Sequence, residues 1–216
     1  MNAQFQEPRA PLIVGIGGTH RSNSSSELAA RFALKVAARA GARVRMFDGP
    51  SLSFPLYNPS DEVRDERATE FVKSLRDADG IVLAAPAYHG GISGLIKNAL
   101  DYTEDMKSDA RVYFDQRSVG TIACAGGWQA AGATLSALRS VVHSLRGWNT
   151  PLGVMINTGN KVFDGEMCLD ADVARNLDVM AHQVVNFARA LYALQADGER
   201  AAVLPVLGRT VPRCSG

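Results

Sequence analysis

The segment Leu-Ile-Val-Gly-Ile-Gly-Gly-Thr-His-Arg-Ser-Asn-Ser, residues 12–24, decides the fold of this chain. Its first half is an apolar run with glycines, which is typical of a buried strand. The residues after Ser24 have helical spacing and follow a Ser/Asn cap, so they predict a helix. A helix N-terminus suits a phosphate, and Thr19, Ser24 and Arg21 add donors. The turn therefore predicts a phosphate-monoester site, and an ordinary capped turn with an exposed arginine is the alternative.

The composition bounds the class of protein. The chain has 216 residues and 46% hydrophobic content, enough for one domain with a sizeable core. A net charge of +1 argues against a nucleic-acid partner and against an acidic electron carrier. Cys124, Cys168 and Cys214 lack CxxC spacing, which favours reduced thiols and a cytoplasmic location. We find no signal peptide at the start and no apolar run of membrane-spanning length, so no membrane partner is expected.

Apolar runs alternate with helical patterns along the chain. The predicted strands are 12–17, 43–47, 80–85, 118–124 and 151–157. The predicted helices are 24–40, 61–77, 93–105, 130–146 and 170–194. This alternation implies βαβ units, a parallel sheet and an open, doubly wound α/β fold. We expect a flexible lead-in at 1–10, a domain at 11–195 and a C-terminal tail at 196–216.

Three unusual loops follow predicted strands at the edge of the sheet where doubly wound folds bind ligands. Besides the first loop, they are 85–94 and 125–132. Both contain paired glycines, which let backbone N–H groups approach a ligand, and both contain aromatic rings, at Tyr88 and Trp128. Together they favour a flat ligand such as a flavin, although each ring could instead serve packing. The stretch 49–60 either walls this site or is a surface loop.

Other ligand classes fit less well. The glycines at 15, 17 and 18 begin a dinucleotide fingerprint, but His20 stands where its third glycine belongs, although Asp48 is placed like a ribose-binding acid. The chain has no P-loop motif and no G-x-S-x-G elbow of a serine hydrolase. His143 and His182 lie in separate predicted helices without ligand spacing, so we expect no metal site.

Three segments carry a family resemblance. Residues 18–24 match a G-[ST]-x-R-x-x-S phosphate loop, residues 86–101 match P-x-Y-(x)5-G-x-x-K-N-x-x-D, and Ala125-Gly126-Gly127 is similar to a glycine-rich flavin loop. In this order and spacing they resemble the NAD(P)H-dependent FMN reductases, and the resemblance runs from about residue 12 to about 190. His89 departs from the pattern, because many members have asparagine there, and Trp128 is bulky for its loop.

The resemblance implies a fold and a set of binding residues. The fold is a flavodoxin-like three-layer sandwich, a five-stranded parallel sheet with helices on both faces, assembled as a homodimer or homotetramer. The residues implied to hold the FMN phosphate are Thr19, Arg21, Asn23, Ser24 and Ser25. Those implied to line the flavin ring are Pro86, Ala87, Tyr88, His89 and Gly90, with Gly126 and Gly127 on the other side.

The resemblance also implies a reaction. A hydride passes from NAD(P)H to FMN, and electrons then pass to a small-molecule acceptor; a flavin-dependent monooxygenase is a further implied partner. Because the flavin carries the chemistry, no catalytic side chain is required. His89 either donates a proton to the acceptor or only packs. The alternatives are a quinone, azo-dye or metal-ion reductase with permanently bound flavin, and an FMN-binding electron carrier or redox sensor.

Overall fold

The computed structural model describes residues 9–203, with side chains as far as Leu194. Seven strands form one mostly parallel sheet. They are β1 (Leu12–Gly17), β2 (Arg43–Phe47), β3 (Gly80–Tyr88), β4 (Gly91–Ile92), β5 (Ser118–Ala125), β6 (Trp148–Asn149) and β7 (Val154–Asn157). A separate antiparallel pair consists of β8 (Phe163–Asp164) and β9 (Met167–Cys168). The order across the sheet is β2-β1-β3-β5, with β6 and β7 both paired to β5.

The helices cover both faces of the sheet. They are α1 (Ser25–Arg39), α2 (Glu66–Asp77), α3 (Gly94–Asp101) with a 3-10 turn at Tyr102–Met106, α4 (Trp128–Ser144) and α5 (Ala171–Val203). One apolar core joins α1 and α5 to the sheet, and a second joins α2, α3 and α4 to the opposite face. The central strand β5 is buried along its whole length. The predicted three-layer α/β fold is therefore confirmed.

The predicted number of five strands was wrong, because the sheet has seven. The predicted strand 151–157 is shorter in the structure, where β7 covers Val154–Asn157, and β6 is a separate segment that precedes it. Pro151 lies between them and has no N–H to donate to a ladder. Thr150 still donates its N–H to Val119, at 3.0 Å, while its hydroxyl turns to the Leu152 carbonyl at 2.8 Å. The two pieces fill one position of the doubly wound order, and β4 is a short antiparallel addition to β3.

Helix boundaries differ from the predicted ones where local caps decide them. α2 begins at Glu66 rather than near 61, because the Asp65 carboxylate accepts the N–H of Arg67 at 2.9 Å and caps the helix there. α5 continues to Val203, beyond its predicted end at 194. Residues 1–8 and 204–216, and with them Cys214, lie outside the described residues. None of the helices within 9–203 is long and apolar enough to cross a membrane.

Candidate cofactor-binding site

The loop after β1 is a tight turn that leads directly into α1. Gly18 has a φ of 123°, and Asn23 has a φ of 58°, a region that asparagine adopts more readily than most residues. The Thr19 hydroxyl accepts the N–H of Arg21 and donates to its carbonyl, both at 3.1 Å. Ser24 caps the helix, as its hydroxyl accepts the N–H of Glu27 at 3.4 Å. The loop is therefore held by its own side chains before any ligand binds.

Glu27 is a buried anchor of this loop that the sequence analysis did not identify. Its carboxylate accepts the N–H of Asn23 at 2.9 Å and the Nε–H of Arg31 at 2.9 Å. The same arginine donates to Asp48, also at 2.9 Å, at the end of β2. The backbone of Gly49 packs closely against the loop, and only glycine fits there, because a Cβ at this position would lie 1.7 Å from the Thr19 carbonyl oxygen. Two neighbouring strand ends are thus clamped together, and the carboxylate considered as a ribose ligand serves this clamp.

Several donors of the loop are left for a ligand. The first N–H groups of a helix have no partner within it. Those of Ser25 and Ser26 have no acceptor within the described residues, whereas that of Glu27 is taken by the cap. The guanidinium of Arg21 is exposed and makes no hydrogen bond or ion pair in the described part of the chain. Free N–H groups beside a free guanidinium form a cradle for an anion.

The second loop is a two-residue β-hairpin between β3 and β4. Tyr88 pairs with Gly91, and the turn residues His89 and Gly90 have φ values of 53° and 77°. Two positive values are the mark of a type I′ turn, for which Asn-Gly is the preferred sequence. His89 thus stands at a position where the left-handed backbone conformation of the turn accounts for the family's preference for asparagine. Histidine also tolerates the left-handed region better than most residues.

The three loops meet around one cavity of about 150 Å³. Predicted site residues that line it are Thr19, Arg21, Ser24, Ser25, Pro86, Ala87, Tyr88 and Gly126. The other predicted residues belong to the same loops but are not part of the cavity wall: Asn23, His89, Gly90 and Gly127. The lining residues that the structure describes carry one guanidinium and no carboxylate.

Four lining residues were not predicted: Ser26, Cys124, Ala125 and Thr158. Thr158 directly follows β7 and donates its N–H to the Ala125 carbonyl at 2.7 Å, which joins a fourth strand end to the site. The position of Thr158 directly after the last parallel strand is the sequence feature from which its place in the site could have been predicted. Burial raises the pKa of the Cys124 thiol to about 12, so it is neutral near pH 7. Cys124 belongs to the buried core between the sheet and the helices α1 and α5.

The long connection after β2 is fixed by Asn98 on α3. The Asn98 carbonyl oxygen accepts the N–H of Tyr57 at 2.9 Å, and its amide donates to the Pro55 carbonyl at 3.0 Å. Tyr102 donates its hydroxyl to the same carbonyl at 3.0 Å. Asn98 in the K-N-x-x-D segment is therefore structural. Residues 50–60 do not line the cavity; the connection reaches the site only through the contact of Gly49 with the first loop.

Comparison with known proteins identifies the family of the chain. The profile of the family described as NADPH-dependent FMN reductase matches residues 11–161. The chain belongs to this family. An NADPH azoreductase of Bacillus sp. (strain OY1-2) is 31% identical over 155 residues, covering 70% of this chain and 79% of the relative. An FMN-dependent NADPH-azoreductase of Staphylococcus haemolyticus is 32% identical over 139 residues, covering 63% and 70%.

The family assignment agrees with the architecture of solved structures. The flavodoxin, WrbA-like protein from Agrobacterium tumefaciens superposes with a TM-score of 0.59 at 17% identity, covering 84% of this chain and 99% of that one. At this identity the likeness shows the fold alone, which is flavodoxin-like as expected. The family match ends at residue 161, so α5 and the tail beyond it lie outside the matched region.

Proposed function

We propose that this chain binds FMN at the cavity beside Arg21, reduces it with NADPH, and passes the electrons to a small-molecule acceptor. The observation that carries the proposal is the convergence of anion-binding and glycine-rich loops on one cavity in a member of the NADPH-dependent FMN reductase family. When bound, FMN supplies the hydride and electron transfer. The chain's own residues bind and orient it.

The charge of the cavity wall favours a phosphate monoester. Arg21 is the charged residue among the lining residues, and its guanidinium can contact two phosphate oxygens at once. The positive end of the α1 dipole and the N–H groups of Ser25 and Ser26 face the same ligand. A neutral flavin without phosphate would leave these donors without an acceptor. We therefore infer that FMN is preferred over riboflavin.

The size of the cavity limits how much of FMN it encloses. At about 150 Å³ it is smaller than the roughly 300–1,000 Å³ of pockets that bury a drug-sized molecule. It suits the phosphate end, while the ring would rest on the surface beside Tyr88, whose side chain is 56% exposed. A Cβ added at Gly126 or Gly127 would meet nothing within 4 Å, so their backbone is open to a ring edge. Backbone donors there would stabilise charge on a reduced ring.

The acceptor is proposed to be a flat aromatic molecule such as an azo dye or a quinone. Both curated relatives described above are named azoreductases. Tyr88 and Trp128 stand exposed on the second and third loops, and such rings suit stacking of an aromatic acceptor. Neither the neutral Cys124 thiol nor another side chain is required as a nucleophile. The proposed reaction is thus an electron transfer without a covalent step on the protein.

The first experiment measures NADPH oxidation by the purified protein with and without added FMN, followed at the nicotinamide absorbance. We expect turnover that saturates with FMN and a further increase when an azo dye is supplied under anaerobic conditions. NADH in place of NADPH gives the coenzyme preference. Bound flavin without nicotinamide turnover would instead favour an electron carrier or redox sensor, and the absence of flavin binding would contradict the proposal.

Assembly and location extend the proposal. We propose a cytoplasmic homodimer or homotetramer in which a second subunit covers exposed apolar side chains such as Trp148, which is 54% exposed. Sedimentation velocity of the purified protein tests this assembly, and a monomer at micromolar concentration would contradict it.

A flavin-dependent monooxygenase remains a proposed partner; faster monooxygenase turnover with this reductase than with chemically reduced FMN would support it.

A further inference from the structure

A second cavity, of about 130 Å³, lies at the opposite end of the sheet from the FMN site. Its wall comes from segments that precede strands and from one face of α5: Arg9, Asp79, Arg111, Gln116, Ala188, Leu191 and Tyr192. Arg9 precedes β1 and Asp79 directly precedes β3, so the cavity sits where these strands begin. It shares no lining residue with the FMN site.

Among the described residues of this wall Asp79 is the one carboxylate, and its hydrogen bonds are already made. Both of its oxygens accept from Arg9 at 2.9 Å, and one also accepts the N–H of Leu12 at 2.8 Å. The Arg9 guanidinium lies 5.2 Å from the centre of the Tyr192 ring. The positive charge of Arg9 and the negative charge of Asp79 cancel within this ion pair. It leaves no carboxylate of the cavity wall for the second arginine.

Arg111 carries the unbalanced charge. Its Nη2 donates to the carbonyls of Ala78, at 3.1 Å, and Gln116, at 3.3 Å, while its Nε is buried and has no partner among the described residues. Asp79 and Asp115 act on it electrostatically, but no hydrogen bond joins either carboxylate to Arg111 in the described part of the chain. Burial lowers the pKa of Arg111, and this effect is larger than the opposing effect of the Asp79 and Asp115 charges. A buried donor without an acceptor destabilises the fold.

Arg117 adds a second cation behind the cavity. It is 1% exposed, and its guanidinium is satisfied by backbone carbonyl oxygens alone, those of Leu75, Arg76, Tyr113 and Asp115. Burial, and then the neighbouring charge of Arg111, lower its pKa to about 10. The carboxylates of Asp79, Asp109 and Asp115 act on Arg117 in the opposite direction, so its charge is partly balanced. Among the described residues of the cavity wall, Arg9 and Arg111 face the carboxylate of Asp79, an excess of one positive charge that a bound anion would neutralise.

We propose that this cavity binds a small oxyanion, with Arg111 and Arg9 as its ligands. Its volume corresponds to about four water molecules at roughly 30 Å³ each, enough for phosphate, sulfate or a short carboxylate but too small for a nucleotide. Guanidinium groups match the planar pairs of oxygens that these anions present. Both Asp79 oxygens are bonded to Arg9, and Nη1 of Arg111 makes no hydrogen bond within residues 9–203, so Nη1 is the donor left for the anion. The site is independent of the proposed FMN reduction.

The test is a calorimetric titration of inorganic phosphate at constant ionic strength. Flavin-free protein carrying Arg21→Ala is used, so that phosphate binding at the FMN site is weakened. We expect one phosphate per chain, a dissociation constant at least tenfold higher after adding Arg111→Gln or Arg9→Gln, and no change after adding Arg43→Gln. Arg43 is a matched control because it is exposed and forms no ion pair within residues 9–203. Acetate titrated in the same way tests the carboxylate branch.

Two results would overturn the proposal. One is the absence of saturable phosphate and acetate binding, and the other is binding that is equal in all variants, which would mean an adventitious ion only. Circular dichroism shows whether each variant folds. If Arg111→Gln does not fold, Arg9→Gln decides the question, because the Arg9 side chain is 46% exposed and Asp79 keeps its hydrogen bond from the N–H of Leu12.

Discussion

Replacement of Glu27 by glutamine tests the anchor beneath the phosphate loop. The carboxylate accepts two hydrogen bonds of 2.9 Å, from Asn23 and from Arg31, in a position only 5% exposed. Glutamine has one acceptor oxygen, so it keeps one bond and turns an NH₂ group toward the other donor. The loss of one hydrogen bond to a charged group costs about 1.5–3 kcal/mol. The free energy of unfolding of the flavin-free protein should fall by that amount.

The assay is urea unfolding followed by circular dichroism, with the midpoint and the slope both recorded. For a domain of this size the loss corresponds to a decrease in Tm of about 3–12 °C. Glu62→Gln is the control, because Glu62 is exposed and has no bonded partner within residues 9–203; it should change stability by less than about 0.5 kcal/mol. A Glu27→Gln variant as stable as this control would refute the anchoring role.

Three further predictions follow from the hairpin, the α3 anchor and the buried thiol. His89→Asn should retain full stability, whereas His89→Val should lose about 1–2 kcal/mol in urea unfolding because a β-branched residue is strained at a φ of 53°. Asn98→Ala should lose about 1–3 kcal/mol by leaving the N–H of Tyr57 without its acceptor; an unchanged midpoint would contradict this. The Cys124 pKa is raised from 9.0 to about 12, so the stability that the neutral thiol contributes is complete below pH 9 and is lost toward pH 12. Iodoacetamide at pH 8 should leave native Cys124 unlabelled by mass spectrometry, and rapid labelling would count against its burial.

The sequence was sufficient to predict that three loops meet, because parallel strands place their carboxyl ends at one edge of the sheet. Thr19, Tyr88 and Gly126 come from different loops and line one cavity. The α/β class followed from the alternation of apolar runs and helical patterns. These predictions depend on topology and periodicity, which are local or nearly local properties of a sequence.

Contacts between segments distant in sequence could not be predicted. Asp48 has the position of a ribose ligand along the chain, and only the fold shows that it pairs with Arg31. Gly49 has no motif, yet it alone permits the close approach to Thr19. Thr158 lines the cavity because it follows β7, whose start was obscured by the interruption at Pro151. Each of these depends on a neighbour that the local pattern does not specify.

The central claim is that the first loop holds the phosphate of FMN. The most direct test compares the affinities of FMN and riboflavin, by flavin fluorescence titration, in the wild-type protein and in Arg21→Ala. The account predicts that the wild type prefers FMN and that Arg21→Ala loses about 1.5–3 kcal/mol of FMN binding, tenfold or more in Kd, with riboflavin affinity unchanged. Equal affinities for the two flavins in the wild type, or an unchanged FMN affinity in a folded Arg21→Ala variant, would contradict it.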